Sequence, residues 1–379
     1  MAIAVATAIA ARSFDEAAKL LAIAAELTIS PRHLQSLGQE VGGDWADRRR
    51  RDTAAYRDRP AMAPPAAAQP PIALAAVMID GGRLQTRQPD SGPGVHEPAW
   101  RETKTAVLLR MAPHPSATDP HPDLPACFAV PPGAVAGPPP PAEAVDEAEA
   151  PEWKPTPLVR SGLATLQDSE AFGWTVAAAA EGRGLFTAAA KAFVSDGLAY
   201  NWSIQRRHFA DFEPILDFVH AAGHVHDAAK AAGGDTELGR HWAELCWRGR
   251  VDDVLAEIDG YRDRIGRPPA PDDEPDHPWC ALGRQRGYLE NNRERMDYPR
   301  YRREGLPITS SPVESWIKQL NQRVKGSEKF WNGGEDAESM LELRAAWLND
   351  EEAFVDRIRQ RPGHPRARPR RRQRPSLAA

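Results

Sequence analysis

The run Ile72-Ala73-Leu74-Ala75-Ala76-Val77-Met78-Ile79, followed by Asp80-Gly81-Gly82-Arg83, is where the fold of this chain is decided. An apolar run this short, closed by Gly-Gly, suits a buried strand that ends in a turn. The arrangement recurs: Ala192-Phe193-Val194-Ser195 leads into Asp196-Gly197, and Ile215-Leu216 leads into Asp217-Phe218-Val219-His220. A single Asp at a strand end is usually a turn residue or a helix cap. Three such acids, followed by a helical Glu, ask for a second explanation.

That Glu lies in the stretch Pro307 to Gly326. Val313, Trp316, Ile317, Leu320 and Val324 recur at helical spacing and form one apolar stripe. Glu314, Lys318, Asn321 and Lys325 fall on the adjacent stripe, one carboxylate at the head of two cations and an amide. A metal-dependent enzyme acting on nucleic acid needs such a row. A structural reading stands beside it, because Ser311-Pro312-Val313-Glu314 also fits a capping box with Pro at the first helical position.

The order strand-Asp, strand-Asp, helix-Glu resembles the catalytic core of DDE transposases, which is an RNase H-like fold. Met78 to Arg83, Trp100-Arg101-Glu102-Thr103-Lys104, Asp196-Gly197, Met296-Asp297-Tyr298-Pro299-Arg300-Tyr301 and Pro307 to Trp331 resemble ISKra-type insertion-sequence transposases. Asp217-Phe218-Val219-His220, an Asp-x-x-His element, is similar to the Mutator-like branch of that superfamily. The resemblance runs, with gaps, from near Ser13 to near Asp350, and is most specific between Asp297 and Trp331. It implies an α/β fold, an RNase H-like mixed sheet flanked by helices. It also implies an enzyme that binds the terminal inverted repeats of its element and target DNA, as a homo-oligomer on DNA, and cuts and joins strands. The chain opens directly on a helix, where such transposases often carry more N-terminal sequence. The alternative is therefore a truncated, catalytically inactive remnant that only binds DNA.

Cutting and rejoining a phosphodiester needs an activated water or 3′-hydroxyl, a stabilised leaving oxygen and charge compensation, which two divalent ions about 3.5–4 Å apart supply together. Hard carboxylate oxygens suit Mg²⁺ or Mn²⁺. Asp80, Asp196 and Glu314 are assigned as the metal-binding catalytic residues. In an RNase H-like sheet the strand of the second acid flanks that of the first, and neighbouring strands lie about 4.8 Å apart. The Asp217 strand falls one place further out, so Asp217 and His220 are expected to cap and lock the next helix behind the site.

Composition sets outer bounds. With 379 residues, 41% hydrophobic and 27% charged, the chain is long enough for two or three domains. The net charge of −5 gives no global basic field, so local patches such as Arg48 to Arg51 and Arg357 to Arg374 would have to carry DNA. Cys127, Cys246 and Cys280 are odd in number and far apart, which suits a reducing cytoplasm rather than a disulfide framework; the resemblance to a transposase implies association with the nucleoid there. Met1 to Ala11 is apolar but lacks a positive flank and reads as helix or a shifted start site; no membrane partner is expected.

Along the chain, residues 1–59 read as a helical domain. Phe14 to Glu26 forms one helix, and Ser30-Pro31 opens a second that ends at Val41 before Gly42-Gly43. The pair is compatible with helix-turn-helix, Arg32, His33, Gln35 and Ser36 facing the groove and Arg32 and Gln35 chosen as its readers; a supporting helical hairpin fits equally. Residues 60–71 read as a linker, and the core (72–237) begins with a meander: Ile72 to Ile79, a short strand near Leu84, and a strand from Thr103 to Met111. A Pro-rich insertion (113–155) should be irregular. Asp168 caps a helix, 238–296 form a helical insertion, 297–350 complete the core with the Glu314 helix, and 351–379 should be a disordered basic tail.

Trp100, Glu102 and Lys104 share a strand face, with a role near the site or a cross-strand ion pair both open. Lys318, Asn321, Arg323 and Lys325 are candidate DNA-binding residues, joined by Lys329. Phe330 and Trp331 either stack on a base or pin the helix end to the core. His220, His224 and His226 invite zinc, but no further ligand pattern supports it.

Overall fold

A five-stranded sheet of order β3-β2-β1-β4-β5 organises the chain. The computed structural model describes residues 1–59, 71–87, 99–131, 153–270, 272, 274–326 and 329–361. Strands β1 (Leu74–Thr86), β2 (Ala99–Ala112) and β3 (Thr156–Thr165) form an antiparallel meander. Strands β4 (Ala190–Ser195) and β5 (Glu213–Leu216) add in parallel on the far side of β1. The fold is therefore α/β with a mixed, open sheet. Leu74 to Ile79 are wholly buried, as a strand covered on both faces requires.

The meander differs from its expectation in two places. Gly81-Gly82 makes no turn: β1 runs straight through, Gly81 opposite Lys104 and Gly82 opposite Thr103. A β-carbon on Gly82 would lie 2.8 Å from Thr103 Oγ1, so the pair permits a close approach of two strands. The short strand near Leu84 is thus the end of β1, and the third strand of the meander is β3, after the Pro-rich segment. Residues 60–70 of the expected linker and 132–152 of that segment lie outside the described residues. The portion from 113 to 131 holds one 3₁₀ turn, Ala126–Phe128, and packs firmly. Phe128 meets Phe218 edge to face at 5.0 Å, and Asp119 accepts from Arg302 Nε at 2.8 Å.

Helices α4 (Ser169–Gly182), capped by Asp168, and α5 (Ala199–His208) link β3 to β4 and β4 to β5. After β5 come α6 (Phe218–Ala231), α7 (Thr236–Trp247), α8 (Val251–Ile265) and α9 (Pro278–Asn292), so the expected insertion is helical. α10 (Tyr298–Arg303), α11 (Ser311–Val324) and α12 (Gly334–Asn349) return the chain to the sheet. Trp316 of α11 covers β3 so closely that a β-carbon on Gly162 would fall 2.3 Å from its ring. The Asn349 amide bonds both the N–H (2.6 Å) and the C=O (2.8 Å) of Gly162, closing part of the edge strand.

At the N-terminus α1 (Ala2–Ala10) precedes α2 (Phe14–Ala25) and α3 (Pro31–Arg57). α3 continues through Gly42-Gly43 rather than stopping at Val41. A β-carbon on Gly42 would meet the Ser339 carbonyl oxygen at 2.2 Å, so the glycine lets α12 cross in backbone contact. Ala2, Val5, Ile9 and Val41 belong to the same core cluster as the sheet. Arg344 donates to the Ile9 carbonyl at 3.0 Å, tying α1 to α12. The expected basic tail also begins later: α13 (Glu351–Arg359), capped by Asp350, buries Phe354 and Ile358. Residues 362–379 lie outside the described residues. Among the described residues no helix is long and apolar enough to cross a membrane.

Candidate functional site

Asp80 sits inside β1, one residue past Ile79↔Ser195, the last pair that β1 makes with β4. Its strand is still held on the other side, Asp80 opposite Thr105. Asp196 follows the last residue of β4. The two acids therefore occupy corresponding positions on adjacent parallel strands, at the edge where β4 leaves the sheet. Asp217 leaves β5, one strand further out, as the order of strands requires.

The carboxylates differ in how they are held. Asp80 Oδ1 accepts from the Gly81 N–H at 2.6 Å. Asp196 Oδ1 accepts from the Leu198 N–H (3.1 Å), Asn201 Nδ2 (2.9 Å) and Ser195 Oγ (3.2 Å). Among the described residues nothing donates to Oδ2 of either. Burial, joined by the charges of Asp196 and Glu314, pushes the Asp80 carboxyl above its ordinary value against the pull of the Gly81 amide and His220. Glu314 is thus within electrostatic reach of Asp80. The capping box does not form: the cap position of α11 is Ser310, and no side-chain hydrogen bond caps it. Glu314 instead faces Lys318, Oε2 to Nζ at 4.0 Å.

Asp217 is wholly buried and saturated. It caps α6 by accepting from the Val219 N–H at 2.9 Å, and Oδ2 accepts from His220 Nδ1 at 2.9 Å and from Ser310 Oγ. The Phe218 N–H donates to Ile308 O at 2.9 Å. The β5–α6 junction is thus stitched to Ser310, the cap residue of α11, four residues ahead of Glu314. Burial opposes charge on His220, but the hydrogen bond and charge of Asp217, with Asp196 and Asp80 beyond, hold its pKa at about 9. Ser310, His220 and Asp217 do not make a hydrolytic triad. Serine and histidine both donate to the same Asp217 oxygen, so the imidazole does not stand between them to take the serine proton.

Sequence reasoning missed two tyrosines. Tyr200 Oη donates to Glu102 Oε1 at 3.2 Å, and its ring lies under the Lys104 ammonium. Lys104, nearly buried, bonds Glu102 Oε2 at 2.9 Å, so this ion pair lies within one strand rather than across two. Tyr288 of α9 donates to the Asp196 carbonyl at 2.7 Å. Neither tyrosine belongs to a periodic pattern that could have singled it out.

The DNA-binding candidates separate. Arg32 is exposed and Gln35 half-buried on the first turns of α3, and Lys318 and Lys325 are exposed with Asn321 half-buried on α11. Arg323 points inward: its Nε donates to the Ala8 carbonyl at 2.9 Å and its guanidinium stacks on Phe14 at 4.2 Å. It serves α1, not a solvent groove, because α1 covers that side of α11. Trp331 is buried, donating to Val324 O at 3.0 Å, and so pins the end of α11, whereas Phe330 is exposed. The three histidines diverge: His224 stacks on Tyr288, and His226 bonds the Phe128 carbonyl. Among the described residues no three His, Cys, Asp or Glu side chains, as they stand, gather closely enough to hold a metal ion. The chain matches no model of a known protein family, and no curated protein matches it.

Proposed function

We propose that this chain is a DDE transposase of an insertion sequence, with an RNase H-like core. In this reading it binds the terminal inverted repeats and target DNA as a homo-oligomer on the nucleoid and catalyses metal-dependent strand cleavage and transfer. One observation carries it: Asp80 and Asp196 emerge side by side from adjacent parallel strands, with Glu314 close enough to act on Asp80. The strand order β3-β2-β1-β4-β5, antiparallel then parallel, supports the finer fold assignment.

The donor set fits Mg²⁺ or Mn²⁺. Asp80 and Asp196 each keep an oxygen without a hydrogen-bond donor among the described residues, and burial, joined by the charges of Asp196 and Glu314, raises the Asp80 carboxyl. Glu314, half-exposed and opposed among the described residues by Lys318 at 4.0 Å, can turn toward them. Two ions there would compensate charge on the transferring phosphoryl group and activate the attacking oxygen. The protein's part is positional. Asn201 and the Leu198 amide orient Asp196, Asp217 and Ser310 seat the head of α11, and Lys318 and Lys325 extend a cationic row for the phosphate backbone.

The test is cleavage of duplex DNA carrying the inverted repeats that flank the gene, with Mg²⁺ or Mn²⁺ and with EDTA as control. Metal-dependent nicking at the repeat boundary, lost in Asp80→Ala, is expected. Specific binding without cleavage in either metal would instead favour an inactive, DNA-binding remnant, and no binding would refute both.

A further inference from the structure

We propose that Tyr288, on α9 of the helical insertion, is a positioning residue that holds Asp196 beside Asp80, so that the insertion sets the affinity of the acid site for divalent cations. The proposal rests on the metal-binding reading above and adds to it a role for a segment distant in sequence.

Three contacts carry it. The Tyr288 hydroxyl donates to the Asp196 backbone carbonyl at 2.7 Å. The next residue, Gly197, has φ +90, and a β-carbon there would lie 2.9 Å from Tyr288 Cε2 and Oη and 3.1 Å from Asn292 Nδ2. The ring thus occupies the place a side chain would take, and the loop turns sharply against it. Asn292, one turn on, accepts from Trp202 Nε1 at 2.8 Å and donates to the Tyr288 carbonyl at 2.9 Å. Trp202 lies on α5, whose Asn201 holds the Asp196 carboxylate at 2.9 Å. The Asp196 loop is therefore gripped from α5 at its side chain and from α9 at its backbone. On its other side Tyr288 stacks on His224 of α6, centroids 3.4 Å apart and planes 22° from parallel.

A carboxylate ligand whose loop is fixed before the ion arrives binds more tightly than one that must be ordered, and supporting residues of this kind are worth about 10–100-fold in metal affinity. Tyr288→Phe keeps the ring against Gly197 and His224 and removes only the hydroxyl.

The experiment titrates Mn²⁺ alone into the full-length protein and follows the free ion by electron paramagnetic resonance, for wild type, Tyr288→Phe, Trp242→Phe and Asp80→Asn. Trp242→Phe is the control for general weakening of the insertion. Its indole bonds Glu257 at 2.8 Å, and no bond joins it to the Asp196 loop. Tyr288→Phe should bind Mn²⁺ at least about 10-fold more weakly, Trp242→Phe as wild type, and Asp80→Asn hardly at all. Gly197→Ala disturbs the same contact from the loop side and should weaken binding too, which keeps the test decisive if Tyr288→Phe folds poorly. Wild-type affinity in both Tyr288→Phe and Gly197→Ala would overturn the proposal while leaving the acid site standing, as would equal weakening in Trp242→Phe. Wild type binding no better than Asp80→Asn would remove the acid site itself, and the proposal with it.

Discussion

Replacing Asp217 by Asn tests how the site is braced, because the consequence depends on pH. The Asn amide can still accept from the Val219 N–H. Its other end becomes a donor facing His220 Nδ1 and Ser310 Oγ, both of which donate in the native protein. His220 can relieve the conflict by losing its proton. The native imidazolium is favoured, its pKa held at about 9 against 6.5 for a free ring. That difference corresponds to about 3 kcal/mol between charge states, which solvent screening of a ring 36% exposed reduces to about 1–2 kcal/mol. Because the folded-state pKa is the higher one, this stabilisation is complete below pH 6.5, declines as pH rises, and is gone above about 9. Urea unfolding of both proteins in EDTA should show a gap widest at low pH, narrowing by about 1–2 kcal/mol across that window. A constant part, from the disturbed Ser310 bond, should remain at high pH and is worth about 1–3 kcal/mol. A gap independent of pH would show that His220 is not charged against Asp217, and the account of the brace would fail. Cleavage should drop in this variant but stay measurable, since no ion is assigned to Asp217.

Other perturbations separate packing from chemistry. Gly42→Val should destabilise by at least about 1–3 kcal/mol in thermal denaturation, because its side chain meets the Ser339 backbone. Gly43→Ala, with nothing within 4 Å, should be neutral or stabilising by up to about 1 kcal/mol. Asp80→Asn and Glu314→Gln should lose cleavage by several orders of magnitude yet melt in EDTA at or above the wild-type temperature, since each removes one of several like charges. A fully active Glu314→Gln would strip that residue of its assigned role. Arg323→Ala should cost about 1.5–3 kcal/mol of stability through its bond to Ala8, with the salt dependence of DNA binding unchanged. Lys325→Ala should leave stability alone and lower the slope of log affinity against log salt by about 1.

By itself the sequence determined the elements whose signals are local. The apolar run into Asp80, the strands before Asp196 and Asp217, the Asp168 cap and the Ser30-Pro31 helix start all stand where their residues require, because burial and capping act within a few residues. The placing of Asp196 next to Asp80, with Asp217 one strand out, was an expectation drawn from the resemblance to an RNase H-like sheet, and β4 and β5 stand in that order beside β1. Only the tertiary structure decided what depends on distant partners. Gly81-Gly82 reads as a turn in isolation and is strand because β2 pairs across it; Gly42-Gly43 reads as a helix end and is helix interior because α12 lies against it. The edge strand β3 carries Thr, Pro, Arg and Ser, with no apolar alternation to announce it. Arg323 follows the exposed stripe of its helix closely enough to pass for a DNA contact, yet α1, more than 300 residues earlier in the chain, takes its hydrogen bond. Ser310 with Asp217, and Tyr288 with the Asp196 carbonyl, join positions 93 and 92 residues apart. Such pairings leave no trace in local composition, since each partner satisfies its hydrogen-bonding capacity only after the chain has folded around both.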